Sequence, residues 1–130
     1  MKLKYTILYV ENVAKTLAFY ERAFGLSRAM LHEGGDYGEL DTGTTTLSFS
    51  SLDLMSKLGK GAVLPKRGQP SFEIAFETDN VAESLQQALD AGAELVQPVE
   101  HMPWGQTTSY VPDINAVSYQ PLTPPQKSEV

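Results

Sequence analysis

The chain contains no cysteine in its 130 residues, which excludes a disulfide scaffold, a thiol nucleophile and any thiolate zinc site. A cysteine-free chain also fits a reducing compartment. Positive charge is sparse: 10 Lys and Arg stand against 16 Asp and Glu, a formal net charge of -6. That balance argues against a nucleic-acid partner. No apolar run approaches the roughly 20 residues that span a bilayer, so no membrane partner is expected. The opening stretch MKLKYTILYVEN turns acidic too early to read as a signal peptide. A cytoplasmic protein is the expectation. Histidine is scarce as well, with only His32 and His101, and neither has a paired ligand spacing.

The sequence does contain a repeat. Asn12, Val13, Ala14 and Leu17 recur 68 residues later as Asn80, Val81, Ala82 and Leu85. Leu47-Ser48-Phe49-Ser50 matches Val117-Ser118-Tyr119-Gln120 at an offset of 70. Each Asn follows a strand-like run and suits a helix N-cap, because its side-chain oxygen accepts from an orphan first-turn N–H. Glu83 is placed to reach back to Asn80 as in a capping box. Val13, Leu17, Tyr20 and Phe24 form one apolar helical stripe, and Val81, Leu85, Ala88 and Leu89 the other. Gly25 and Gly92 mark the helix ends. Short strand-like segments follow each helix, broken at Gly34-Gly35-Asp36, Asp41-Thr42-Gly43 and Pro112-Asp113-Ile114-Asn115. The pattern predicts β-α-β-β-β twice, an α+β protein. Module one covers 1–51, a linker 52–70 and module two 71–121, within a single domain of 1–122. The linker holds Lys57, Lys60, Lys66 and Arg67 and reads as a solvated connection rather than an anion-binding loop, with a helical turn at 52–58. The proline-rich tail, 122–130, is expected to fray.

Three stretches, Tyr5–Leu26, Phe72–Glu94 and Pro103–Pro121, carry a family resemblance. The Phe19-Tyr20 pair before Gly25-Leu26, and Pro103-Trp104-Gly105-Gln106 leading to Pro112-Asp113, are its most telling parts. With two βαβββ modules the chain resembles the vicinal oxygen chelate superfamily of glyoxalases, extradiol dioxygenases, epimerases and bleomycin-resistance proteins. The resemblance implies a curved mixed sheet around a central cleft, helices outside. It also implies a homodimer, in which modules are sometimes exchanged, so that Tyr5 and Glu73 would come from different subunits.

Strand alternation then sorts the side chains. Thr6, Leu8 and Val10, Leu47 and Phe49, Phe72, Ile74 and Phe76, and Val117 and Tyr119 are expected on the helix side. Tyr5, Ile7, Tyr9, Ser48, Ser50, Glu73, Glu77, Ser118 and Gln120 are left for the cleft. The metal-ligand positions that the resemblance implies fall on Tyr5, Ser48, Glu73 and Ser118. Only Glu73 is a competent ligand for a divalent cation, so neither a metal nor another cofactor is expected. Glu73 is either a base, a group that attracts a cationic ligand, or a solvated carboxylate bonded to Tyr5, and binding is the leading role. Ser48 and Ser118 have no histidine beside them in the inferred geometry, which weakens a hydrolase reading. Trp104 either stacks on a planar ligand or packs the sheet end. The expected ligand-binding set is Tyr5, Tyr9, Ser48, Glu73, Glu77, Trp104 and Ser118, for a small aromatic or cationic molecule and without a metal. The alternative is a glyoxalase-type lyase, isomerase or oxygenase with a non-standard metal site.

Overall fold

The computed structural model describes residues 1–124; the expected frayed tail lies mostly outside the described residues. The chain forms two compact units, one of Met1–Pro65 and one from Lys66 onward. In the first, β1 (Tyr5–Val10) leads to α1 (Val13–Phe24), then β2 (Ser27–Leu31), β3 (Tyr37–Asp41) and β4 (Thr46–Ser51). A short α2 (Leu52–Lys57) follows, capped by the Ser51 hydroxyl, which accepts from Leu54 N–H. In the second, β5 (Glu73–Glu77) and α3 (Val81–Asp90) precede β6 (Gln97–His101), β7 (Thr107–Pro112) and β8 (Ser118–Leu122). The strands make two four-stranded mixed sheets, ordered β1-β4-β3-β2 and β5-β8-β7-β6. In each, the first and last strands of the unit are parallel and the other neighbours antiparallel. The expected βαβββ pattern is therefore present twice.

Both helices start where the capping chemistry places them. Asn12 Oδ1 accepts from Lys15 N–H at 2.9 Å, and Asn80 Oδ1 from Glu83 N–H at 3.1 Å. The capping-box expectation is modified: Asn80 N–H goes to Thr78 Oγ1 at 3.3 Å, a donor site that a Glu83 carboxylate would otherwise serve. Gly25 ends α1 in the left-handed region at φ 67. After α3 that conformation falls on Gly92, at φ 103, one residue past the cap Ala91. Replacing Asn12 by alanine orphans the Lys15 N–H and is expected to lower stability by about 1 kcal/mol, read as a shift in the urea midpoint.

The two helix–sheet interfaces are filled differently. In the first unit Tyr20 packs edge-on against Phe49, ring centroids 4.8 Å apart, and both are fully buried. At the repeat position of Tyr20 the second helix carries the smaller Ala88. There Tyr119, the counterpart of Phe49, stacks instead on Phe76 from β5 at 5.5 Å. One aromatic pair thus bridges helix to strand and the other strand to strand.

Gly38 on β3 matters for the larger helix. A Cβ there would lie 2.7 Å from Leu17 Cδ1, 3.0 Å from Val13 Cγ1 and 3.2 Å from the Met30 carbonyl oxygen. Its side-chain space is already taken by α1.

Candidate functional site

On β5 the alternation is as expected: Ile74 and Phe76 are half-buried, while Glu73, Ala75 and Glu77 are exposed on the opposite face. Phe72 is a correction. It precedes the strand, so pleat alternation does not hold it on the helix side, and it is 44% exposed. It lines a pocket of about 550 Å³ together with Glu73, Val96, Gln97, Tyr110 and Ser118. All of these residues lie in the second unit.

Within this pocket Glu73 sits opposite Ser118 in the parallel β5–β8 register. The phenol bonded to Glu73 is Tyr110, whose hydroxyl lies 3.5 Å from Glu73 Oε1; the sequence had suggested Tyr5 for that role. Burial raises the Tyr110 phenol above its ordinary range, and the Glu73 carboxylate raises it further, while a hydrogen bond with Gln120 pulls it down. At neutral pH Tyr110 is therefore a neutral donor, and Glu73 offers lone pairs to a further partner. The pocket combines an aromatic wall, one carboxylate and the neutral polar side chains of Ser71, Gln97 and Ser118.

In the first unit the register is shifted. Ser48 lies opposite Ile7, and Tyr5 opposite Thr46. The resemblance had grouped Tyr5 with Ser48 as ligand positions, the counterparts of Glu73 and Ser118. The cap motif anchors only the helix; the parallel register is set across more than forty residues by β4, and it differs by two residues between units. Tyr5 and Ile7 do share a face, both exposed, with Tyr9 half-buried beyond them. Ser48 is fully buried, its hydroxyl 3.5 Å from the Thr6 carbonyl. It also bonds Tyr37, whose phenol donates to Glu39 Oε2 at 2.7 Å. Burial raises Tyr37, the Ser48 hydrogen bond opposes this, and Glu39 adds to it. Ser50 is buried too.

The remaining expected site residues stand apart from the pocket. Glu77 lies at the far end of β5, opposite Leu122. Trp104 occupies the β6–β7 turn, where its Nε1–H donates to Gln106 Oε1 at 2.8 Å and Gln106 in turn donates to the Thr123 carbonyl. His101 bonds Thr107 through Nδ1 at 2.8 Å. In the linker Lys57 pairs with Asp53 at 3.7 Å and Arg67 with Glu94, so two of its four cations already have carboxylate partners.

Tyr110, Phe72, Val96 and Gln97 were not singled out from the sequence as pocket residues. Tyr110 carried a legible signal, since it alternates with the core residue Val111 on a strand of small and β-branched residues. Val96 carried none, because it lies in the loop before β6, and neither did Gln97, the first residue of that strand, because its position follows from the path of that loop.

The four metal-ligand positions implied by the family do not fit a divalent cation. Glu73 is their only carboxylate, Tyr5 and Ser118 offer neutral hydroxyls, and Ser48 is buried with its hydroxyl engaged. Among the described residues no group of three or more His, Cys, Asp or Glu could hold a metal ion.

Comparison with known proteins places this geometry in a family. The family model of the glyoxalase-like domain matches residues 3–119. No curated protein matches the chain. Among solved structures, a glyoxalase/bleomycin resistance protein/dioxygenase family enzyme from Burkholderia phytofirmans PsJN is similar, with TM-score 0.81 at 18% identity, covering 95% of this chain and 98% of that one. A glyoxalase-related enzyme from Fulvimarina pelagi gives 0.79 at 18% identity, covering 95% and 88%. TioX from Micromonospora sp. ML1 gives 0.72 at 19% identity, covering 95% and 98%. At these identities the likeness is one of fold. No helix among the described residues is long and apolar enough to cross a membrane.

Proposed function

The chain belongs to the glyoxalase-like domain family of the vicinal oxygen chelate superfamily, and on that premise we propose that it binds a small organic cation with a flat apolar part, without a metal. The fold itself selects no chemistry. The name carried by the Burkholderia relative joins enzymes to a resistance protein. The donor set of this chain favours the binding side of that name over metal-assisted turnover. The observation that carries the reading is the pocket that Glu73 lines together with Phe72 and its hydrogen-bond partner Tyr110. An aromatic ring fits the apolar wall, and a cation gains from both the carboxylate and the ring faces. Gln97 and Ser118 supply neutral hydrogen bonds that orient the ligand. The proposal takes the protein as a cytoplasmic homodimer, the habit of its superfamily.

Calorimetric titration with benzylammonium and with its neutral counterpart benzyl alcohol tests this. Benzylammonium is expected to bind the more tightly, and Glu73→Gln to weaken it about fivefold, the scale of a solvent-exposed charge pair near 1 kcal/mol. Benzyl alcohol should not respond to the substitution. Equal affinities for the two probes sink the cation reading. Binding that disappears after chelation and returns with added Ni²⁺, Mn²⁺ or Zn²⁺ sinks the metal-free part.

A further inference from the structure

A second compartment adjoins the pocket of the second unit. It has a volume of about 190 Å³, is more enclosed, and its walls are mostly apolar. Pro70, Val96 and Ser118 line both spaces, so the two share a wall. Pro112, the last residue of β7, and Ala116, from the β7–β8 turn, line the second compartment, and so does the Arg67–Glu94 ion pair. That pair joins the segment entering β5 to the loop before β6.

We propose that the ligand carries, besides its cation, a compact apolar group of about ring size that seats in this second compartment while the cation remains at Glu73. The proposal rests on the cation reading above and narrows its ligand class to arylalkyl ammonium compounds. Three observations support it. An apolar cavity of about 150 Å³ is enough to hold benzene, so the space suits a phenyl or branched alkyl group. Its charged lining residues, Arg67 and Glu94, are paired with each other, so the compartment makes no demand for a charge from the ligand. Finally, Ser118 is both the register partner of Glu73 and a wall of the second space. Neighbouring strands lie about 4.8 Å apart, so a linker of about three methylenes spans from the carboxylate past Ser118.

Ala116 provides a way to test the compartment without losing the turn. It is a non-glycine residue at positive φ, 66°, a conformation that asparagine tolerates better than alanine. Ala116→Asn therefore keeps the turn and puts an amide into the apolar space. The experiment is calorimetric titration of the full chain with phenylalkylammonium ions of one to four methylenes, using the parent protein, Ala116→Asn and Glu73→Gln, with circular dichroism of each variant. Affinity is expected to rise about tenfold from one methylene to three, as the ring leaves water. Ala116→Asn should abolish that rise and leave benzylammonium binding unchanged. Glu73→Gln should weaken every member by a similar factor and preserve the rise. If the series binds with Glu73 dependence but shows no length preference, or if Ala116→Asn leaves the rise intact, the second compartment is not a subsite and the cation reading stands alone. If no member binds, both readings fall.

Discussion

Replacing Gly38 by valine is expected to cost about 3 kcal/mol, seen as a lower urea midpoint at unchanged slope. Strand propensity works in the other direction, since valine is favoured over glycine in a sheet by up to about 1 kcal/mol. Space decides the outcome. The first added carbon already meets Leu17 Cδ1 at 2.7 Å and Val13 Cγ1 at 3.0 Å. Leu17 is fully buried and Val13 nearly so, leaving neither a free direction in which to yield. The Met30 carbonyl, 3.2 Å away, belongs to the neighbouring strand. Valine adds two methyl groups beyond that first carbon, so α1 must lift from β3 or the strand must move. For a domain stabilised by about 5–15 kcal/mol this is a large fraction of the total. An unchanged midpoint would mean that α1 packs less closely on β3 than these distances state.

The second large effect concerns Asp113, in the β7–β8 turn. Its side chain is buried, and burial raises its carboxyl to about 6, although the N–H groups of Asn115 and Val117 both donate to Oδ1 at 2.8 Å and pull the other way. An acid with a higher pKa folded than unfolded holds its proton more tightly in the folded state. Between about pH 4 and 6 the folded chain therefore binds more protons, and stability falls as pH rises through that window. The loss approaches about 3 kcal/mol once the carboxyl is ionised, at 1.4 kcal/mol per unit. Asp113→Asn retains an oxygen acceptor for the two N–H groups and removes the buried charge. The variant is expected to be more stable than the parent by about 2 kcal/mol at pH 8 and to match it near pH 4. Urea midpoints of both proteins across that range give the difference directly. A constant difference from pH 4 to 8 would show that ionisation of Asp113 is not coupled to folding.

Much of the architecture was legible because it is encoded locally. Asn12 and Asn80 announce helix starts through a hydrogen bond spanning three residues, and the offset of 68 between them exposes the repeat. Alternation on β1 and β5 sorted Leu8 and Val10 from Tyr5 and Ile7, and Ile74 and Phe76 from Glu73 and Glu77. Glu73 and Ser118, which line the pocket, were legible as sharing one face for the same reason, each lying on a strand of clear period. Phe72 was misplaced because the period was extended one residue beyond the strand. The partner of Glu73 was misassigned because Tyr110 lies 37 residues away, and no short-range rule reports a contact across three strands.

The absence of cysteine already removed thiol chemistry, a matter of which atoms the chain possesses. Element order, helix caps and inward faces likewise followed from the sequence, because periods of two and of 3.6 residues act within one element. Only the tertiary structure decided the parallel register, which places Ile7 rather than Tyr5 opposite Ser48. It alone buried Ser48, drew Phe72, Val96 and Tyr110 around Glu73, and opened a second apolar space beside them. Those features depend on pairings between distant residues, whose closure is set by the packing of the whole unit rather than by any local pattern.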